Sequence, residues 1–328
     1  MLRRTLGCTG ISIPAVAVST WTIGGIHWRE EETALVIDAM HAALDEGIDL
    51  IETAPAHGFG LAEHIVRRVL ADRVGANVRV ATRCGLDWAT GQGAAWRLVD
   101  GRQVWRSLRP DRVRRQVEAS LGRLGVDRID LIQVGQHDPE TPAEDTVGEL
   151  LRLRDEGKVG AIGTCDLPPF AVREYLRAGC LDCHQVPFSM LDRDVEIARL
   201  QGRGNRRVPI LASHPLAMGL LAGQFAVGMD REERDPFRAT SRFSTEALGK
   251  AASLLDRFEP FRQKYGLTQR QLALAWTIAQ PGIACVLVGL MTPEHVREVA
   301  GGAVRLNSED LEAMDALIAE SGLLEPAS

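Results

Sequence analysis

RIDLIQVGQHDPETPAEDTVGELLRLRDEGKVGAIGTC, residues 128–165, decides the fold. It reads as a strand over RIDLIQV (128–134), a helix over 142–157 and a second strand over VGAIGTC (159–165). Both strand runs are too apolar to leave a face in water. Strands buried on both sides belong to a parallel sheet covered by its own crossover helices.

The same unit recurs in both directions. Upstream lie the strand PAVAVSTW (14–21), the helix EETALVIDAMHAALDEG (31–47), the strand IDLIETA (48–54), a helix over 61–71, the strand NVRVATR (77–83) and a helix over 110–124. In the first of these helices Leu35, Ile37, Met40, Ala43 and Leu44 fall on one face and Gly47 closes it. Downstream, a helix over 168–178 precedes HQVPF (184–188), a helix over 191–202 precedes VPILAS (208–213), and a helix over 267–280 precedes ACVLVG (284–289). Helices over 293–301 and 307–320 complete the order. Eight strand-then-helix units fit a closed (β/α)8 TIM barrel, one domain over 1–328, better than an open doubly wound sheet. No GxGxxG follows a strand, which speaks against a Rossmann fold. Two long segments follow strands, 85–109 and 214–266, the second with a charged helix near 244–264. In a barrel both lie at the carboxyl-end face, where loops build the site.

Composition narrows the function classes. The 328 residues are 45% hydrophobic and 25% charged, which excludes disordered, collagen-like and mainly membrane-spanning chains. A net charge of −6 gives no positive field for a phosphate backbone, so nucleic acid is not an expected partner. In MLRRTLGCTGISIPAVAVSTW (1–21), Gly, Thr, Ser and Pro interrupt the apolar residues before a signal-peptide core or membrane span forms, and a cytoplasmic location is expected. The cysteines (Cys8, Cys84, Cys165, Cys180, Cys183, Cys285) are sparse and irregularly spaced, as reduced thiols are. Cys180-Leu-Asp-Cys183-His184 has haem-attachment spacing and half a zinc site, but no second ligand pair lies near it. A buried strand entrance is the expected reading, with no metal.

Several stretches, in one consistent order, resemble the aldo-keto reductases from residue 2 to about residue 301: RRTLGCTGISIPAVAVSTWTIGG at the amino end, ETAPAHGFGLAE (52–63), SLGRLGVDRIDLIQV (120–134), DPETPAEDT (138–146), EGKVGAIGTCD (156–166), QVPFSMLDR (185–193), PLAMGLLAG (215–223) and VGLMTPEHV (288–296). The resemblance implies a (β/α)8 barrel and hydride transfer from NADPH to an aldehyde or ketone. In that reaction an aspartate and a lysine activate a tyrosine as general acid, and a histidine orients the carbonyl. Carried over position by position, the aspartate falls on Glu52, the tyrosine on His57, the lysine on Arg83 and the histidine on Gly135, with His137 reaching the rim only if the strand end bulges by two residues. The Ser-Asn pair that holds the nicotinamide carboxamide falls on Cys165 and Asp166, while its glutamine partner remains as Gln185. The stacking tyrosine and the serine after it fall on Ser213 and His214, and the residues at the 2′-phosphate and adenine fall on Met291, His295, Glu298 and Val299.

Glu52 and Arg83 keep one negative and one positive group at neighbouring strand ends, and His57 has a side chain that titrates near neutrality without help. His57, Glu52, Arg83 and His137 are therefore the candidate catalytic residues. Gln185, Asp166, Cys165, Ser213, His214 and Glu298 are candidate cofactor contacts, and Trp21, Trp28 and Trp88 are candidate pocket walls. Each also has a structural reading. Glu52 and Arg83 serve as a pair plugging the barrel mouth, with arginine at 83 fitting a chain in which only Lys158, Lys250 and Lys264 are lysine. By the same token His57 is a rim hydrogen-bonder, Cys165 a buried thiol, Asp166 a helix cap before Pro168, and His137 and His214 loop histidines. The tryptophans serve equally as core packing, and His27, His41 and His64 lie outside the matched positions.

Because the nicotinamide bed is eroded while titratable groups remain, the leading expectation is non-redox acid/base chemistry without a cofactor: a dehydration, cyclisation, isomerisation or lyase step on a small, partly apolar metabolite. The alternative is a divergent NADP(H)-dependent oxidoreductase with His57 as general acid. A non-catalytic protein that binds a metabolite or partner is the third.

Overall fold

A computed structural model describes residues 1–24, 28–99, 101–179, 181–193, 208–223, 225, 240–289 and 292–324. Eight parallel strands close into a barrel in chain order: β1 (Val16–Ser19), β2 (Leu50–Glu52), β3 (Arg79–Cys84), β4 (Ile129–Val134), β5 (Val159–Cys165), β6 (Cys183–Pro187), β7 (Ile210–Ser213) and β8 (Ile283–Gly289). Closure is made by β8 pairing with β1, Val286 opposite Val16 and Gly289 opposite Ser19. The (β/α)8 barrel expected from the strand spacing is the fold of the chain.

Helices cover the outside: α1 (Thr33–Asp45), α2 (Leu61–Asp72), α3 (Pro110–Leu124), α4 (Ala143–Asp155), α5 (Pro169–Arg177), α6 (Thr245–Arg257), α7 (Glu259–Tyr265), α8 (Gln269–Ala279), α9 (Pro293–Ala300) and α10 (Ser308–Glu320). Their ends follow local chemistry. Proline opens α3 and Gly125 ends it in the left-handed conformation. At the start of α8, Thr268 and Gln271 cap each other's backbone N–H groups. The buried face of α1 is formed by Val36, Ala39, Met40 and Ala43, whereas Leu35, expected on it, is 42% exposed. The helix expected over 191–202 falls mostly outside the described residues. No helix among the described residues is long and apolar enough to cross a membrane.

Two features were not anticipated. An antiparallel hairpin, Arg3–Thr5 with Ser12–Pro14, carries Leu6 and Ile13 against the amino end of the barrel. The segment 85–109 is a three-stranded antiparallel sheet, Leu86–Asp87, Arg102–Arg106 and Ala94–Val99, and not an irregular loop. It rises from the end of β3 and stands beside the site.

Candidate active site

Side chains alternate along a strand, so inward positions are two residues apart. Ala17, Leu50, Ala81, Leu131, Ala161, Cys183 and Leu211 pack together inside the barrel with Leu6 and Ile13. The next inward position on most of these strands is polar: Ser19, Glu52, Arg83, Gln133, Gln185 and Ser213. One step along the same strands thus turns a hydrocarbon core into a hydrogen-bonded layer at the carboxyl end.

Glu52 is the centre of that layer and is fully buried. Its Oε1 accepts from Arg83 Nη2 at 2.6 Å and Nε at 3.0 Å, and from Gln185 Nε2 at 3.4 Å. Ser19 Oγ donates to Oε2 at 2.5 Å. Gln185 Oε1 in turn accepts from Gln133 Nε2 at 2.8 Å. Burial by itself would raise the Glu52 pKa, but the charges of Arg83 and His57 and the bonds from Ser19 and Arg83 carry it below the ordinary carboxylate value. Burial works against the Arg83 charge as well. The carboxylates of Glu52 and Asp166 and the hydrogen bond to Glu52 outweigh it, and the guanidinium is held more firmly protonated than in water. Gly135 packs on the stem of this arginine, where an added Cβ would lie 3.5 Å from Cδ.

His57 sits in the turn between β2 and α2 and is half-buried. Its loop is pressed against the one following β1, for a Cβ on Gly24 would collide with the Gly58 backbone. That approach sets His57 Nδ1 3.0 Å from Thr20 Oγ1, and the Thr20 and Thr53 hydroxyls are hydrogen-bonded to each other at 2.9 Å. Burial pushes the His57 pKa down to about 4, with Glu52 raising and Arg83 lowering it, so the ring is neutral near pH 7.

The other expected residues divide. Gln185 joins the Glu52 network, and Cys165 lies beside it, its thiol pushed up by burial and donating to Asp166 Oδ2 at 3.2 Å. Asp166 is not a helix cap: α5 begins at Pro169, and Asp166 itself turns left-handed at φ +53° with its N–H bonded to the Gln185 carbonyl. His137 is not brought to Glu52. Its ring meets Phe170 edge-on at 5.2 Å and its carbonyl accepts from Arg106. Trp21 stands at the mouth against His214 at 5.7 Å, and Trp88 meets Phe59 edge-on at 5.3 Å. Trp28 is half-buried and packs on the core between sheet and helices, the structural reading it was also given. Glu298 is held on α9 by Thr268 and Arg270, apart from the Glu52 network. Cys183 faces the barrel interior and His184 bonds Thr164 on the neighbouring strand. Cys180, His27 and Met291 lie outside the described residues.

Sequence reading missed Ser19, Thr20, Thr53 and Gln133. The inward alternation from Ala17 and from Leu131 would have found Ser19 and Gln133. Thr20 and Thr53 have no such signal.

Several polar atoms in this region have no hydrogen-bond partner among the described residues although buried: Ser213 Oγ and Gln133 Oε1 at the barrel mouth, and both Gln269 amide atoms, Arg270 Nε and both His295 ring nitrogens around α8 and α9. Such atoms are costly unless something pairs with them. They fit an extended ligand rich in donors and acceptors, as a dinucleotide is.

The model of the aldo/keto reductase family matches residues 16–319. An NADH-specific methylglyoxal reductase of Escherichia coli (strain K12) is 34% identical over 323 residues, covering 95% of this chain and 96% of the relative. Aldo-keto reductase YhdN of Bacillus subtilis (strain 168) is 32% identical over 335 residues, 99% of this chain and 96% of the relative. Among solved structures, the glycerol dehydrogenase AKR11B4 from Gluconobacter oxydans superposes with a TM-score of 0.86 at 29% identity, covering 99% of this chain and 97% of the other. These likenesses overturn the expectation of non-redox chemistry without a cofactor. The erosion of individual contact residues is a weaker guide than reductase and dehydrogenase relatives that match the chain from end to end.

Proposed function

This chain belongs to the aldo/keto reductase family, and from that premise we propose that it is a nicotinamide-dependent oxidoreductase interconverting a small carbonyl compound and its alcohol. The observation that carries the reading is the buried Glu52–Arg83 pair at the carboxyl end of the barrel, with a neutral His57 coupled electrostatically to both. Relatives named as acting on methylglyoxal and on glycerol support a small, oxygen-rich substrate. A cytoplasmic location is part of the same reading, supported by the cysteines of the described residues, which are all free, Cys8 exposed and Cys84, Cys165, Cys183 and Cys285 buried.

The nicotinamide, when bound, supplies or accepts the hydride. Gln185, Asp166, Cys165, Ser213 and His214 are the residues at the mouth that would hold it, with His295 and Glu298 toward its other end. The protein's own contribution is electrostatic and protonic. Arg83 places positive charge at the mouth, where it favours an oxyanion on the substrate, and Glu52 keeps that guanidinium aligned through two of its N–H groups. His57 exchanges the proton of the substrate oxygen, and Trp21 and Trp88 wall the entrance.

The test is turnover with NADH and NADPH against methylglyoxal, other small aldehydes and ketones, and polyols, followed by nicotinamide absorbance. Oxidation or reduction in the parent, lowered about 10²–10⁴-fold in His57→Phe, is the expected result. Failure of both coenzymes to bind the purified protein would end the reading.

A further inference from the structure

The three-stranded sheet over 85–109 turns a cationic face to the barrel. Side chains alternate along its strand Arg102–Arg106, so Arg102, Val104 and Arg106 share a side. Val104 is buried, the Arg102 guanidinium lies over the Phe59 ring at 4.9 Å, and Arg106 Nη1 donates to the His137 carbonyl at 3.3 Å. Phe59 belongs to the loop after β2 and His137 to the loop after β4, and β3 lies between those two strands. The strand therefore crosses the end of β3, where Arg83 stands at the mouth. Arg102 is engaged with an aromatic face, whereas Arg106 has one neutral carbonyl. Its Nε is buried with no partner, Nη2 makes no hydrogen bond to a described residue, and no carboxylate among the described residues pairs with it. The neighbouring acids are occupied: Asp87, on the paired strand, by Ala89 and Thr90, and Asp138, beside His137, by Leu108, Glu140 and Thr141. The segment 85–109 carries four arginines against two aspartates, in a chain whose net charge is −6.

We propose that Arg106 is a substrate-binding residue for an anionic group, so that the preferred carbonyl substrate carries a carboxylate or phosphate. That the molecule is a carbonyl compound rests on the oxidoreductase reading; that it is anionic rests on the arginine. With Nη1 on the His137 carbonyl, Nε and Nη2 remain as the side-on fork of the guanidinium. Two parallel N–H groups match two oxygens of a carboxylate or phosphate, a geometry that lysine lacks. A buried N–H without an acceptor is costly, and an anion seated in the fork removes that cost. His137, a candidate catalytic residue by sequence, then acts through its backbone, as the carbonyl that aims Arg106. The residues named above for the coenzyme come from the ends of β5, β6 and β7 and from α9, which leaves the sheet over β2 to β4 to the substrate. Arg102, exposed above Phe59, adds positive field there and not a bond.

Turnover within matched pairs tests this: glycolaldehyde phosphate against glycolaldehyde, and 4-oxobutanoate against butanal, with each coenzyme. The parent is expected to favour the charged member of at least one pair about tenfold or more in kcat/KM, mainly through KM, and the pair that shows it tells phosphate from carboxylate. Arg106→Gln is expected to reduce that preference about ten- to hundredfold, and Arg106→Lys to keep part of it, because the charge stays and the fork is lost. For Arg102→Gln the change is about twofold and is removed by salt. A parent indifferent to charge in both pairs, or an Arg106→Gln protein that slows both members of a pair equally, would overturn the proposal and leave the oxidoreductase reading intact. Calorimetry with inorganic phosphate and with succinate reads the site without coenzyme. Binding by the parent that is lost in Arg106→Gln, in a protein with no nicotinamide turnover, keeps the anion site and removes the oxidoreductase reading alone. Absence of both binding and turnover ends both.

Discussion

The two ends of this barrel are built from the same strands and differ by one inward step. At the amino end the interior is Ala17, Leu50, Ala81, Leu131 and their neighbours, closed by Leu6 and Ile13 of the hairpin. At the carboxyl end the interior is Ser19, Glu52, Arg83, Gln133 and Gln185, each hydrogen-bonded to another of the set although Gln133 Oε1 has no partner among the described residues. The first layer is held by non-directional burial and tolerates variation in shape. The second places a full negative charge out of water and stands only because Arg83, Ser19 and Gln185 converge on it. Stability at one end and chemistry at the other are thus separate demands on one set of strands.

Substitutions at each end break or sharpen that contrast. The largest effect is expected for Arg83→Met, which leaves Glu52 buried and unpaired: a loss of about 3–5 kcal/mol in chemical denaturation, most of it recovered in the double variant Glu52→Leu with Arg83→Met. A double variant no more stable than Arg83→Met would show that the pair is not what holds this end together. At the other end, Leu131→Ala should cost about 2–5 kcal/mol with kcat unchanged, since it opens a cavity remote from the mouth. Loss of turnover in a still-folded Leu131→Ala protein would mean that the two layers are coupled. Ser19→Ala removes one hydrogen bond to a charged oxygen and should cost about 1.5–3 kcal/mol.

The carboxyl end is also read by pH. The His57 pKa is depressed to about 4 in the fold, so between about pH 6.5 and 4 the unfolded chain binds a proton the native state does not, and stability falls as pH falls through that window. Glu52, with its pKa lowered, adds a loss below about pH 4.5 as the pair is protonated apart. His184, also pushed to about 4, titrates in the same range. His57→Asn should flatten the upper part of the profile by at most about 1.4 kcal/mol per pH unit, measured as urea midpoints, and leave the His184 contribution in place. An unaltered profile would place the depressed histidine elsewhere.

Much of this was legible in the chain. Runs such as RIDLIQV and VGAIGTC declare buried parallel strands because no polar alternation interrupts them. Glu52, His57 and Arg83 stood out because their charge or imidazole falls where the quoted motifs end a strand. The partners were less visible. Gln133 meets Gln185 across 52 residues of sequence and Ser19 meets Glu52 across 33, distances over which spacing carries no information. Asp166 looked like a cap because it precedes a proline, but its backbone was claimed by the Gln185 carbonyl. Leu35 matched a helical face by period and yet turned to water, since the buried stripe is centred on Met40 and Val36. Residues 85–109 read as a loop because short edge strands with charged faces lack an apolar period.

The sequence by itself determined a closed ring of eight buried strands, because hydrophobic periodicity is a local property that each segment carries regardless of its neighbours. Only the tertiary structure decided that Glu52 is held by Arg83, Ser19 and Gln185, that His137 turns to Phe170, and that the Thr20 hydroxyl reaches the His57 ring. Hydrogen bonds and ion pairs act over about 3 Å, and which groups come that close is settled when the barrel closes and fixes its register.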